Sequence, residues 1–430
     1  MTQVTIESLE QSNTPLNSSW NKQDTLWTLS LYGTAIGAGT LFLPINAGIN
    51  GLLPLLIMTI LAFPMTYYAH RGLSRFVLSS PNKHGDITDV AKEYYGQRSG
   101  LLITFFYFFA IFPILLMYSV AITNTAESFW VNQLHFQPIS RPLLSGGLLT
   151  GLMLVIVFGQ QMVLRSMSML VYPFVIVLLA LSCYLIPSWN LSYWIHSLNN
   201  SPSLLSTSTM SSIAILIPVM VFSFNHSPII SSFALQQKQT YGKDADQKSC
   251  QILATSHLLM IATVMFFVFS CVFTLTPEDM QLAKHQNISI LSYLANYFHQ
   301  PFISLIAPII AFVAIAKSFF GHYLGAREGL KGLWQKEVHP TNPLLKKAFL
   351  PSIDLSILGA CWIVATINPS ILGMIETLGG PIIAIILFLM PMHALYRIER
   401  LKAYRQTIAD IFTTIIGLLA LSAILYKLLG

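Results

Sequence analysis

Three short stretches carry the residues whose types and spacing could do chemistry. The first, Tyr32 to Thr40, reads Tyr-Gly-Thr-Ala-Ile-Gly-Ala-Gly-Thr. Its glycines let a helix unwind and let a ligand touch bare backbone. Amides at the start of the resuming helix, around Gly37, Ala38, Gly39 and Thr40, form a positive dipole end suited to a carboxylate, with Thr34 and Ala35 just before the break. Gly33 and Gly37 also have the spacing of a helix-packing motif, so this stretch alone leaves binding and packing both open. The second stretch, Ser223-Phe224-Asn225-His226-Ser227-Pro228, sets polar side chains and a missing N–H in the middle of an apolar run. Carbonyls freed near Phe222 and Ser223 suit an ammonium group, and Ser223, Asn225 and His226 make a small polar pocket. Amides for a carboxylate and carbonyls for an ammonium together describe a receptor for a zwitterion. The competing reading is a proline kink whose backbone is re-satisfied by Ser and Asn side chains.

The third stretch holds Lys317, in Ala-Lys-Ser-Phe deep inside an apolar segment. A charge there costs about 2.5–3.5 kcal/mol on insertion scales, so it needs a partner or a purpose. Lys317 and the adjoining Ser318 are candidates for proton coupling, the ammonium standing where another carrier would hold sodium; snorkelling is awkward at this depth. Glu376, early in a later segment, is a proton acceptor, part of an outer gate, or a carboxylate at a water-filled mouth. His226 could relay protons or simply hydrogen-bond substrate or backbone. Tyr118 lies at a depth where its ring could cover a substrate, or packs as an ordinary tyrosine. Glu127 reads as interfacial. His70, Arg71 and Arg75 read as the basic close of a span. Cys183, Cys250, Cys271 and Cys361 have no paired spacing, so neither a metal site nor a disulfide framework follows.

The elements that must position these residues are membrane helices. Hydrophobic residues make up 54% of the 430 and charged residues only 9%. So few charges cannot cover a soluble surface. Eleven apolar segments are long enough to cross a bilayer, about 25–48, 52–77, 100–126, 143–160, 168–187, 209–236, 252–275, 302–326, 350–367, 370–395 and 406–428. The first, interrupted by Gly33, Gly37, Gly39 and Pro44, and the sixth, interrupted at 223–228, are the opening members of two sets of five. A broken helix inside lipid is tolerated only where its freed groups line a protein cavity. Two breaks at matching points predict an all-α, five-plus-five inverted-repeat membrane protein with discontinuous helices 1 and 6 and a midplane site between them. The organisation is one transmembrane domain, 25–430, after a tail of residues 1–24, with repeats at about 25–187 and 209–395 and an added helix at 406–428.

With the N-terminus in the cytoplasm, nineteen Lys and Arg fall inside and three, Arg141, Lys284 and Lys427, outside. The net charge of +6 is therefore a topological signal and not a nucleic-acid footprint. The C-terminus is then periplasmic. The outer connection 276–300 contains a short apolar run, Ile288 to Phe298, expected to form an interfacial or vestibule-capping helix. Ile87 to Tyr95 reads as a short amphipathic helix capping the inner side. No zinc-binding HExxH, paired intramembrane aspartates or nucleophile elbow is present, which argues against an enzyme.

Four motifs carry a resemblance: LYGTAIGAGTLFLPINAG from Leu31 to Gly48, VFSFNHSPIISSF from Val221 to Phe233, AKSF from Ala316 to Phe319, and MIETLGGP from Met374 to Pro381. With them, nearly the whole chain after about residue 20 resembles the bacterial hydroxy and aromatic amino acid permease family, in particular its serine-transporting branch. The resemblance implies an amino acid/polyamine/organocation-type carrier, leucine-transporter-like in fold, that imports L-serine with protons across the inner membrane and has no cofactor beyond the coupling proton. The residues themselves put the expected substrate site around the two breaks and the expected proton coupling at Lys317, Ser318 and Glu376. A threonine/serine or related small-amino-acid symporter, and a sodium-coupled carrier of the same fold, stay open.

Overall fold

The computed structural model describes residues 19–82, 85–169, 171–298, 300–337 and 343–429, and the side chains of all these but 157–169, 328, 331–332, 334–337, 343–348 and 424–429. The expected tail 1–24 therefore lies mostly outside the described residues. The first half contains α1 (Lys22–Ala35), α2 (Ala38–Asn50), α3 (Leu52–Leu78), α4 (Ile87–Ser128), α5 (Arg141–Met169), α6 (Val171–Leu185) and α7 (Leu191–Asn199). Then come α8 (Thr207–Ser223), α9 (Ile230–Tyr241), α10 (Ala245–Thr274), α11 (Pro277–His285), α12 (Ile290–Tyr297) and α13 (Pro301–Glu337). The chain closes with α14 (Pro343–Ile367), α15 (Ile371–Met374), α16 (Gly380–Ala384), α17 (Met390–Arg397) and α18 (Thr407–Leu429). Two π-helical turns, Ile375–Gly379 and Ile385–Leu389, join α15, α16 and α17 into one rod.

Every described regular element is helical, as hydrocarbon demands of a chain that must satisfy its own backbone. Seven apolar stretches are long enough to cross a membrane, eight if the bent pair α1–α2 is one span. The difference from eleven has a plain origin. The stretch Thr207–Thr274 holds both the sixth and seventh segments, and the described apolar parts of the fourth and eleventh, Arg141–Ile156 and Thr407–Ala423, are shorter.

The first break is narrower than the glycine spacing suggests. Helix α1 ends at Ala35, α2 begins at Ala38, and the two meet at 56°. Gly33 and Pro44 lie inside helices, so only Ile36 and Gly37 are unwound. Upstream, the Asn21 side chain caps the amides of Gln23 and Asp24, and Asp24 caps Asn21 in return. That capping box starts the helix at Lys22, inside the stretch expected to be tail.

The sixth span breaks where expected. Helix α8 stops at Ser223, a 3₁₀ turn spans Ser227–Ile229, and α9 resumes at Ile230. Ile87–Tyr95 is helical and continues into α4 across a bend at Gly96, whose φ of 78° suits glycine best. The outer connection folds into two helices. Helix α11 starts at a Thr276–Asp279 capping box with Pro277 in its first turn. Helix α12 buries Ile290, Leu291 and Leu294 completely, so it caps the protein and does not float at the lipid interface.

Candidate functional site

The two breaks meet. A Cβ on Gly39 would fall 2.7 Å from Phe222 Cδ1 and 2.8 Å from Ser223 Cα, so the outer half of the first span lies directly on the end of α8. A Cβ on Gly37 would fall 2.3 Å from Ser318 Oγ and 3.1 Å from Tyr118 Oη. Four elements thus converge on Gly37 and Gly39: α2, the α8 end, α4 through Tyr118 and α13 through Ser318. The Phe222 ring is clasped between Gly39 and Gly379, whose Cβ would approach its far edge to 3.0 Å. Behind it, the Tyr118 ring meets His322 edge to face at 4.9 Å.

Within this apolar surround, Thr40 Oγ1 and Ser223 Oγ are buried with no hydrogen-bond partner. A buried unsatisfied hydroxyl costs about 1–3 kcal/mol, which a polar ligand would relieve. Thr34, by contrast, spends its hydroxyl on its own helix, donating to Ser30 O at 2.8 Å. Ala35 is buried in the last turn of α1 and Ala38 in the first turn of α2.

Lys317 meets the first break from the other side. Its Nζ donates to the carbonyl oxygen of Gly33. In an unbroken helix that carbonyl would take the amide of Gly37, four residues on. The unwinding removes that donor, and the lysine stands in for it. Desolvated charges need such a partner inside a membrane protein.

At the second break the backbone re-pairs more than the sequence suggests. Asn225 N–H donates to Phe222 O at 3.3 Å, so that carbonyl is not free. Asn225 Oδ1 accepts the amide of Ser227 at 3.1 Å and braces the turn. His226 stacks on His70 with ring centroids 3.6 Å apart and lies 4.8 Å from His257. Its ring is engaged with α3 and α10. His70, read as part of a basic span end, is instead fully buried in this cluster.

Glu376 is only 2% exposed, so it does not sit at a water-filled mouth. Asn46 Nδ2 donates to its Oε1 at 2.7 Å, tying α2 to the π-helical turn after α15. Asn46 was legible only as an isolated amide in the apolar run after the break. Glu127 pairs with Arg141 at 2.7 Å at the outer ends of α4 and α5. That pair lines an open cavity of about 940 Å³ with Asn124, Asn132, Asn296 and Asn368. None of the expected site residues borders it, so its size says nothing about the substrate site.

On the inner side, the residues missed altogether are Asp24, Tyr241 and Lys248. Asp24 accepts from Tyr241 Oη at 2.6 Å and pairs with Lys248 at 3.0 Å, nearly excluded from solvent. This network fastens both inner half-helices, α1 and α9, to α10.

The described geometry has relatives. The chain is 56% identical over 412 residues to the serine transporter SdaC of Escherichia coli K12, covering 96% of each chain. It is 55% identical over 412 residues to the serine transporter SdaC of Shigella flexneri, again 96% of each. Among solved structures it resembles a manganese transporter of Eremococcus coleocola (TM-score 0.61, 13% identity, 97% of this chain and 89% of that one). It also resembles MhsT in complex with L-phenylalanine (TM-score 0.60, 15% identity, 96% and 99%). At such identities these structures speak for the fold alone, which is the inverted-repeat, leucine-transporter-like one with discontinuous helices 1 and 6. The tryptophan/tyrosine permease family matches residues 23–425, and the chain belongs to that family: it is a membrane transporter and not an enzyme.

Proposed function

We propose that this protein imports L-serine by symport with protons across a bacterial inner membrane, by alternating access around a midplane site. The observation that carries the reading is the junction of the two helix breaks, with Gly39 pressed on Ser223 and Lys317 bonded to the Gly33 carbonyl. The amides that open α2, at Ala38, Gly39 and Thr40, take the substrate carboxylate. The unpartnered hydroxyls of Thr40 and Ser223 suit a small hydroxylated side chain better than a greasy one. Tyr118, Phe222 and Ser318 complete the wall. The serine transporters at 55–56% identity support the substrate, since their names state it.

Lys317 carries the coupling. While charged it holds the first break to α13 through Gly33; on losing its proton it can no longer bind that carbonyl as a cation, and α1 is released to move. An ammonium already occupying a freed carbonyl favours protons over sodium as the coupling ion. Glu376 and Asn46 act at the outer gate, and the Asp24–Lys248–Tyr241 network at the inner one. The orientation is N-terminus cytoplasmic and C-terminus periplasmic, as the charge asymmetry requires.

The deciding experiment is uptake of radiolabelled L-serine by proteoliposomes under an imposed pH gradient, with sodium replaced throughout and each amino acid tested as competitor. Accumulation that follows the pH gradient and is competed by serine is the expected result. Sodium-dependent uptake, or no serine accumulation, would overturn the coupling or the substrate respectively.

A further inference from the structure

Three buried histidines lie together beside the sixth-helix break, and the transport reading uses none of their rings. His70 on α3, His226 between α8 and α9, and His257 on α10 are each 0% exposed. One ring nitrogen from each lies within 4.8 Å of the others. Two of them are already set as ligands. His70 Nδ1–H donates to Thr66 O at 2.8 Å, and His257 Nδ1–H donates to Leu253 O at 2.7 Å. A backbone carbonyl on one ring nitrogen fixes the tautomer and leaves the lone pair on Nε2, the support that metal-ligating histidines almost always have; in His257 that lone pair now faces His70 Nδ1 at 3.4 Å. The third, His226, has both ring nitrogens buried and unpartnered.

We propose that His70, His226 and His257 bind one transition-metal ion of the zinc class. The donors are all imidazoles, with no carboxylate or thiol among the described residues of the group, a set that suits zinc, copper or nickel and not magnesium or calcium. Nitrogens held at about 2.0–2.1 Å from one tetrahedral ion stand about 3.4 Å apart, so nitrogens within 4.8 Å of one another must close by up to about 1.4 Å. The ring of His257, with centroid distances of 5.1 Å to His70 and 4.8 Å to His226, is already spread as three ligands would be. His70 and His226, stacked at 3.6 Å, have to splay. His70 Nε2 also accepts the amide of His226 at 3.2 Å. The ion takes that lone pair, so metal capture and the backbone at the break are linked. Its ligands come from α3, the break and α10, so the ion pins the inner half of the sixth span and blocks transport; this consequence rests on the transport reading above.

The test uses the full chain in detergent, stripped of metal, with Zn²⁺ alone as the probe. Calorimetric titration should give one saturable site per chain. Affinity should fall about tenfold or more in His257→Gln and in His226→Gln, the least that losing even a supporting group costs at a metal site. Zinc-edge X-ray absorption on the unaltered chain should show imidazole nitrogens as the main neighbours, a readout that survives if either variant misfolds. No saturable site, a shell without imidazole, or unchanged affinity in both variants would overturn the proposal. Binding is read without transport, so a chain that fails to carry serine leaves this test intact. In proteoliposomes, zinc should inhibit uptake by the unaltered chain and not by His257→Gln; equal inhibition of both would remove the pinning.

Discussion

Gly37 and Gly39 show how closely the first break is built against its neighbours, and they separate two kinds of fit. A Cβ at Gly37 meets a side-chain hydroxyl, Ser318 Oγ, at 2.3 Å, whereas at Gly39 it meets both the Phe222 ring, at 2.7 Å, and backbone, Ser223 Cα, at 2.8 Å. Gly37→Ala should therefore cut serine uptake about tenfold or more, since overpacking a tight contact costs about 1–3 kcal/mol. Adding Ser318→Gly should recover a large part of it. At Gly39, trimming the Phe222 ring would leave the Ser223 backbone in the way, so no single second substitution should restore Gly39→Ala. Uptake by the three variants, normalised to protein reconstituted, checks this; equal recovery at both sites would contradict it. Lys317→Ala should abolish accumulation driven by a pH gradient while serine counterflow persists, since counterflow needs the site but no proton. Retained accumulation in that variant would remove Lys317 from the coupling step. The glycines, Ser223 and Lys317 were legible as chemistry because each is out of place in an apolar helix. The surroundings of His226 were not legible. Its partners His70 and His257 lie on other helices, and single imidazoles in apolar runs carry no sign of which faces they share.

At the scale of the helix, hydrophobic run length foretold nearly every span, since a bilayer imposes its thickness directly on the chain. Two short elements were lost for the same reason, although the helices at Ile87–Tyr95 and Ile290–Tyr297 were expected. Helix α11 has only nine residues and its signal lies in its Thr276–Asp279 capping box, not in apolar length. The start of α1 was missed likewise, and with it the inner network. That network makes an element-level prediction. Asp24 and Lys248 are almost wholly excluded from solvent, and removing one member of a buried pair strands the other charge at a cost of about 3–5 kcal/mol. Asp24→Asn and Lys248→Met should each lower the melting temperature in detergent, and the double variant should lose less than the sum. Strictly additive losses would show that the pair does not couple α1 to α10. At the outer end, Glu376→Gln keeps an acceptor for Asn46 while removing the charge. It should leave melting nearly unchanged, whereas Glu376→Leu, which removes the acceptor, should lower it; equal melting of the two variants would show that the Asn46 bond does not hold α2 in place.

At the scale of the whole molecule, the two halves explain why the breaks face each other. Five spans, an odd number, invert the second half relative to the first, so α1–α2 and α8–α9 enter the centre from opposite directions. In the proposed reading the amides that open α2 then face the substrate carboxylate across the end of α8. This pairing was readable only as two matched interruptions; the actual contact, Gly39 on Ser223, depends on packing that no single stretch of sequence encodes. The eleven spans expected from the sequence would also place the chain ends on opposite faces. In the proposed orientation the cytoplasmic face bears Arg75, Lys238 and Arg400, and Lys427 lies outside. A reporter enzyme active only in the periplasm, fused after residue 430, should therefore be active, and one that fluoresces only in the cytoplasm should stay dark. The reverse pattern would mean an even number of crossings. The added helix α18 would then not traverse the bilayer, and its packing on α8 and α16 would have to be explained from within one leaflet.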